Sequence, residues 1–331
     1  MAEIYFDGDA DLSVLDGQTV TVIGYGNQGR AQALNMRDNG AHVVVGGIED
    51  DALERARTDG FPVMSIASSV SSGDILFLLL PDEIQREVYQ RDIAPRLRPG
   101  HTLNFAHGYN IRFGHIVPPD DVDVIMVAPR MIGVGVREHF LAGTGAPAFV
   151  AVDRDVSGRA WSKTLALAKA IGATRAGALK TTFAEETELD LFSEQAVWPA
   201  VVRLLTDAYE VLTDRGYAPE AVLLESYVSG EAARVFQKMA DVGLFGQMRF
   251  HSRTSQYGTL SRSRNVLPEG FRTKLEETID YIRDGRFARE WDEESRAGYP
   301  VFDRLRKDAF DHPINLTEEI LRSRTAQPDS A

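Results

Sequence analysis

The chain has 331 residues, 44% of them hydrophobic and 26% charged, which is long enough for two packed domains and too apolar for disorder. Its formal net charge of −13 and its lack of any run of basic residues exclude a nucleic-acid partner. There is no cysteine, so disulfides, thiolate metal sites and a thiol nucleophile are ruled out, and any metal must be held by oxygen or imidazole.

Residues 1–16 are acidic and have neither a basic start nor a long apolar run, so no signal peptide or membrane anchor is expected there, and the protein is expected to be cytoplasmic. Up to about residue 180, short β-rich apolar runs alternate with longer amphipathic stretches, the rhythm of βαβ units. Strands are expected at 19–24, 42–46, 74–80, 102–105, 122–128 and 148–152. The run Ile75-Leu76-Phe77-Leu78-Leu79-Leu80 is apolar at every position, as suits a central parallel strand covered on both faces. The expected fold is α/β, an N-terminal Rossmann-like doubly wound sheet over 1–180. Helical periodicity then takes over at 186–212, 219–242, 271–283 and 317–322, which predicts an all-α second domain over 181–325 and a frayed tail at 326–331. Pro219 is placed to open a helix and Gly216 to close the one before it.

Gly24-Tyr25-Gly26-Asn27-Gln28-Gly29 sets a GxGxxG between the first of these strands and a helix-compatible stretch, 30–38. Gly24 suits the tight turn, Gly26 the approach of a pyrophosphate, and Gly29 the close packing of helix on strand. The pyrophosphate would then rest on the helix N-terminus. The next strand ends in Glu49-Asp50-Asp51, about twenty residues past the last fingerprint glycine. An acid there accepts from a ribose 2′-hydroxyl and repels a 2′-phosphate, so NADH is favoured over NADPH, with Glu49 the first candidate and Asp51 beside it. Alternatively these acids only start the next helix, where they suit its dipole.

Five carboxylates lie within ten residues, from Glu185 to Glu194. Glu186, Asp190 and Glu194 recur every four residues, which stacks them on one helical face, where like charges repel unless a cation lies between. An all-oxygen set suits Mg²⁺ or Mn²⁺; a solvated acidic helix face is the alternative.

The string Glu185-Glu186-Thr187-Glu188-Leu189-Asp190-Leu191-Phe192-Ser193-Glu194-Gln195-Ala196-Val197 resembles the metal-binding signature of ketol-acid reductoisomerases. Gly24-Tyr25-Gly26-Asn27-Gln28-Gly29, Leu80-Pro81-Asp82-Glu83, Asn104-Phe105-Ala106-His107-Gly108-Tyr109-Asn110, Arg175-Ala176-Gly177, Gly285-Arg286-Phe287-Ala288-Arg289-Glu290-Trp291 and Gly298-Tyr299-Pro300-Val301-Phe302 are similar to that family too, over roughly residues 3–323. The length is similar to that of the family's short class, whose active site is built across a dimer. The resemblance implies Mg²⁺ held by Asp190 and Glu194, with Glu186 beside them and Glu225 from a partner subunit. It implies His107 near nicotinamide and substrate, Glu194 and the residue at 130 in catalysis, and Ser252, Glu225 and position 229 near the substrate. Tyr25, Asn27, Gln28, Pro81, Asp82 and Gly133 join the fingerprint glycines as cofactor contacts on the same basis. A homodimer or higher self-association follows from it as well.

Two positions depart from the family pattern. Its active-site lysine is Arg130 here, within Ala128-Pro129-Arg130-Met131-Ile132-Gly133-Val134, which keeps the charge and changes the geometry. Its second helical glutamate is Ser229, and Glu231 faces elsewhere on a helix. Three readings follow. The first is a reductoisomerase turning a 2-hydroxy-3-keto acid into a 2,3-dihydroxy acid, for branched-chain amino acids or a specialised pathway. The second is a relative that only reduces a 2-keto acid, and the third a dinucleotide-binding pseudoenzyme.

Overall fold

A computed structural model describes residues 2–263 and 265–325; the tail expected at 326–331 lies outside the described residues. The strands are β1 (Ile4–Tyr5), β2 (Thr19–Ile23), β3 (His42–Gly47), β4 (Val63–Ser65), β5 (Ile75–Leu78), β6 (Thr102–Phe105), β7 (Asp123–Pro129), β8 (Ala148–Arg154) and β9 (Ala178–Lys180). They form one nine-stranded sheet in the order β1-β9-β8-β7-β6-β5-β2-β3-β4. The run β4-β3-β2-β5-β6-β7 is parallel throughout, while β8 returns antiparallel to β7 and β1 antiparallel to β9. The chain winds outward from β2 in both directions, so the topological switch point falls between β2 and β5. In such sheets ligands bind in the crevice at the strands' carboxyl ends.

Alternate residues of each parallel strand feed two cores. Val20, Val22, Ile75, Phe77, Ile125 and Val127 pack on one face, with Ala33 and Met36 of the helix Asn27–Asp38 and Leu167 of the helix Ala160–Ala170. Leu76, Leu78, Leu103, Phe105, Val124 and Met126 pack on the other, with Val70 of the helix Ile66–Ser72. Each large side chain so buried contributes about 1.5–3 kcal/mol. Burial on both faces is why β5 reads as an unbroken apolar run, while β2 and β6 carry the buried polar residues Thr21 and Asn104.

The contacts divide the chain into two compact units, the first running to Asp190 and the second starting at Leu191. All regular structure described in the second unit is helical, including Trp198–Asp214, Pro219–Leu223, Glu231–Val242, Arg253–Arg262, Phe271–Arg283, Arg286–Arg296, Pro300–Phe310 and Pro313–Thr325. Proline opens the helices at Pro219 and Pro300, and Gly216 adopts φ +87° past the end of Trp198–Asp214. A small core holds Tyr209, Val222, Leu223 and Leu321.

Three expectations need correction. The helix expected over 219–242 is broken, because it passes through a π turn at Leu224–Val228 and stops before Gly230, whose φ of +80° starts a new helix at Glu231. The helix expected over 186–212 starts earlier, at Phe183, and contains a π turn at Ser193–Val197. The first Rossmann helix begins at Asn27, inside the fingerprint, rather than at residue 30. No helix among the described residues is long and apolar enough to cross a membrane.

Candidate active site

β2 ends in the glycine turn. Gly24 takes φ +97°, and a Cβ there would lie 2.7 Å from the Leu79 carbonyl oxygen at the end of β5. A Cβ on Gly29 would lie 2.0 Å from the Gly24 carbonyl oxygen, so helix and strand meet only because both residues are glycine. Gly26 differs, since it caps the helix N-terminus with no side chain and nothing lies within 4 Å of where its Cβ would be. The space beside Gly26 itself is open. A cavity of about 270 Å³ lies beside this turn, lined by Tyr25, Gly26, Asn27, Arg30, Arg55 and Arg137, among others. Glu138 also lines it, Arg30 pairs with Asp59 and Arg137 with Asp38, and the adjoining helix N-terminus offers chemistry that suits a dinucleotide's phosphates.

Gly133 has a second job that the sequence did not suggest. A Cβ on it would lie 2.1 Å from the Asn27 carbonyl oxygen, so the helix Gly133–Leu141 abuts the fingerprint directly. Gln28 donates from Nε2 to the Met131 carbonyl at 2.8 Å, and Gln32 donates to Gln28 Oε1 at 3.0 Å, which ties the turn to the loop after β7.

Past β3, Asp50 is the N-cap of the helix Asp51–Thr58, accepting from the N–H groups of Ala52 and Leu53. Asp51 is exposed in the first turn of that helix. Glu49 is exposed and accepts from Arg57 at 2.8 and 2.9 Å, an interaction that lowers its pKa. The helix-starting role thus falls to Asp50, and Glu49 keeps its oxygens at the surface of the loop.

The second cluster forms at the carboxyl ends of three neighbouring strands. Pro81 caps the helix Asp82–Val88 after β5, His107 follows β6, and Arg130 follows β7. The His107 Nδ1 lies 2.7 Å from Asp82 Oδ2, and Asp82 also accepts from Asn110 at 3.2 Å and Gln85 at 3.3 Å. The carboxylate therefore faces the imidazole in a fixed direction, which places a proton on Nδ1. His107 Nε2 is buried with no hydrogen-bond partner and lies 3.6 Å from Asp190 Oδ2. Burial opposes charging of this ring. The hydrogen bond and charge of Asp82, with the charges of Glu186 and Asp190, outweigh it and raise the pKa to about 9.

Glu186 and Asp190 reach the cluster from the helix Phe183–Phe192. Glu186 is fully buried; its Oε2 accepts the Gly108 N–H at 2.8 Å and its Oε1 accepts Arg130 at 2.9 Å, while burial pushes its pKa up. Gly108 must be glycine, because a Cβ would lie 2.6 Å from Thr187 Oγ1. Arg130 also bonds Asp190 Oδ1 and stacks over the Phe149 ring at 5.0 Å. His107, Glu186 and Asp190 each offer one ligand atom within 4.8 Å of the others. The two carboxylates are oxygen donors of the kind that Mg²⁺ or Mn²⁺ takes, and the His107 imidazole, with its raised pKa, sits beside them as a proton carrier.

The other expected residues lie in the second unit. Glu194 is exposed in the π turn Ser193–Val197 and Glu225 in the π turn Leu224–Val228. Ser229 precedes the break at Gly230, its Oγ accepting the Glu231 N–H at 3.4 Å, and Ser252 caps the helix Arg253–Arg262 by accepting the Ser255 N–H at 3.2 Å. Sequence reasoning singled out neither Gln85, which orients Asp82, nor the bridge from Arg130 to both carboxylates. The first could have been found from its three-residue helical spacing; the second left no local signal.

A Rossmann sheet with a fingerprint turn at its switch point, and a histidine–carboxylate cluster at adjacent strand ends, define a nicotinamide-dependent oxidoreductase. Residues 14–177 match the family model for the acetohydroxy acid isomeroreductase NADPH-binding domain, and residues 183–327 that for the ketol-acid reductoisomerase C-terminal domain. The chain belongs to the ketol-acid reductoisomerase family. It is 45% identical over 324 residues to the ketol-acid reductoisomerase (NADP(+)) of Pyrobaculum aerophilum, covering 97% of this chain and 98% of that one. With the enzyme of the same name from Renibacterium salmoninarum it shares 43% identity, over 97% and 94% of the two chains. The solved structure of an NADH-preferring ketol-acid reductoisomerase from an uncultured archean superposes with a TM-score of 0.95 at 38% identity, covering 98% of this chain and 100% of that one.

Proposed function

We propose that this chain converts a 2-hydroxy-3-keto acid into a 2,3-dihydroxy acid, by alkyl migration followed by reduction, as a step of branched-chain amino-acid synthesis or of a related specialised pathway. The observation that carries this reading is the meeting of His107, Glu186 and Asp190 at the strand ends next to the glycine turn. When bound, the dinucleotide would supply hydride and a divalent ion would polarise the substrate's oxygens.

Asp190 and Glu186 would hold that ion, and Glu194 and Glu225 remain ligand candidates on their likeness to the family signature. Asp82 orients His107 so that Nε2 can hold a proton facing the substrate and release it to the carbonyl oxygen as reduction proceeds. Arg130, always protonated, supplies positive charge beside the Glu186–Asp190 pair. Gly24, Tyr25, Gly26, Asn27, Gln28 and Gly29 would hold the dinucleotide, with Gly133 keeping the turn in place. Glu49, at the end of β3 where a ribose 2′-hydroxyl would arrive, favours NADH over NADPH. Ser229 and Ser252 would face the substrate. Large apolar side chains exposed in the second unit, among them Phe236, Phe245, Leu305 and Phe310, support a homodimer or larger assembly in the cytoplasm.

Arg130 in place of lysine and Ser229 in place of glutamate favour a second reading, reduction without migration. The two are separated by oxidation of NADH and NADPH followed at 340 nm with Mg²⁺ present. 2-Acetolactate turns over if both half-reactions survive. Turnover of 3-hydroxy-3-methyl-2-oxobutyrate alone leaves a reductase, and turnover of neither overturns both readings.

A further inference from the structure

Glu186 is fully buried and carries a carboxylate that Gly108 satisfies at only one oxygen; the other oxygen faces Arg130. Asp190 accepts from the same guanidinium, whose two terminal nitrogens span the pair. A guanidinium presents its donors as a planar fork that fits two acceptors at once, which a lysine ammonium does not. Arg130 is also held from behind. Its N–H bonds the Pro147 carbonyl at 2.8 Å, the next carbonyl, Met131, accepts from Gln28, and its guanidinium lies over Phe149. The side chain is 29% exposed, so it has a route to solvent.

We propose that Arg130 is a resident counter-cation of the Glu186–Asp190 pair, and that a divalent ion enters this site only by displacing it. The idea rests on the metal reading given above and adds to it that metal binding in this chain is an exchange. The ion gains two carboxylates, and the protein must first give up two charge-assisted hydrogen bonds. Metal affinity is therefore lower than the carboxylates alone would allow, and the displaced guanidinium becomes available to a substrate carboxylate.

The test compares the metal-stripped protein as isolated with its Arg130→Lys, Arg130→Met and Asp190→Asn variants. Free Mn²⁺ is titrated by electron paramagnetic resonance, and melting temperature is recorded with and without Mn²⁺. Arg130→Met is expected to bind Mn²⁺ at least tenfold more tightly than the parent, with Arg130→Lys between them and Asp190→Asn losing the site. Without metal, both arginine variants should melt lower than the parent, and Mn²⁺ should raise them by more. If Arg130→Met does not fold, Arg130→Lys decides the matter alone. Equal Mn²⁺ affinity in parent and arginine variants overturns the exchange and leaves the metal reading standing. Absence of Asp190-dependent Mn²⁺ binding from all of them overturns both.

Discussion

Gly26→Ala separates a dinucleotide role for the fingerprint from a purely structural one. Gly26 has φ −79°, which alanine adopts freely, and no atom lies within 4 Å of the new Cβ. The folded protein should lose less than about 1 kcal/mol, the size of a weakened N-cap. A cofactor pyrophosphate approaching the same N–H groups would meet the methyl group, and losing one charge-assisted hydrogen bond costs about 1.5–3 kcal/mol, roughly a 10–100-fold rise in Kd. Gly133→Ala provides the contrast. Its Cβ would lie 2.1 Å from the Asn27 carbonyl oxygen and 2.4 Å from the carbonyl carbon, so turn or helix must move, at a cost of about 1–3 kcal/mol from overpacking. The assay is NADH fluorescence titration alongside thermal melting. Gly26→Ala should bind NADH poorly and melt almost normally, whereas Gly133→Ala should fall in both. Normal NADH affinity in Gly26→Ala would refute the placement of the pyrophosphate on this turn.

Lys163 and Asp123 form a buried pair at 2.9 Å, with side chains 7% and 1% exposed, and Asp123 also accepts from the Val156 and Ser157 N–H groups. Breaking such a pair from one side costs about 3–5 kcal/mol, so Lys163→Met and Asp123→Asn should each lower the urea midpoint sharply, and the double variant by less than the sum. Strict additivity would count against the coupling. His101 is fully buried, and desolvation with the nearby Arg98 charge lowers its pKa to about 4. Folding therefore disfavours the protonated ring, and His101 contributes stability above pH 6.5 that is lost as pH falls towards 4, a loss of roughly 3 kcal/mol over that range. His101→Gln should flatten that part of the stability–pH curve, and an unchanged slope would assign the loss to other groups. At the end of β3, Glu49→Gln removes the charge that the proposed function sets against a 2′-phosphate and frees Arg57, its present partner. It should improve NADPH binding relative to NADH by about 1 kcal/mol for charges near 4 Å in water, roughly fivefold. An unchanged ratio would remove Glu49 from cofactor choice.

How much could be read beforehand follows from the range of each interaction. The strands from β2 to β8, except β4, announce themselves as short apolar or β-branched runs, most plainly in β5, where burial on both faces fills every position of Ile75-Leu76-Phe77-Leu78 with an apolar residue. β1, β4 and β9 are two or three residues long and have no period to detect, although they hold both edges of the sheet. The four-residue spacing of Glu186 and Asp190 foretold that they share a helix face, and the fold brings both beside His107. Beyond Asp190 the chain passes into a π turn, which depends on packing that the four-residue pattern does not encode.

Arg130 marks the limit of local reading. Its partners lie 56 and 60 residues away, and the Gln28 contact that holds its loop spans 103 residues. A lysine replaced by arginine looks conservative when only charge is counted. In the folded chain, the fork of the guanidinium determines what it can bridge, and two carboxylates at matching distance give it a role that a single ammonium could not fill. Arg130 thus lies at the centre of the site, tied to the dinucleotide turn through Gln28 and to the carboxylate pair through its own nitrogens. A change in metal affinity at one end and in cofactor affinity at the other should therefore be coupled, and the double variant Gln28→Ala/Arg130→Lys is where non-additive Mn²⁺ and NADH binding is expected.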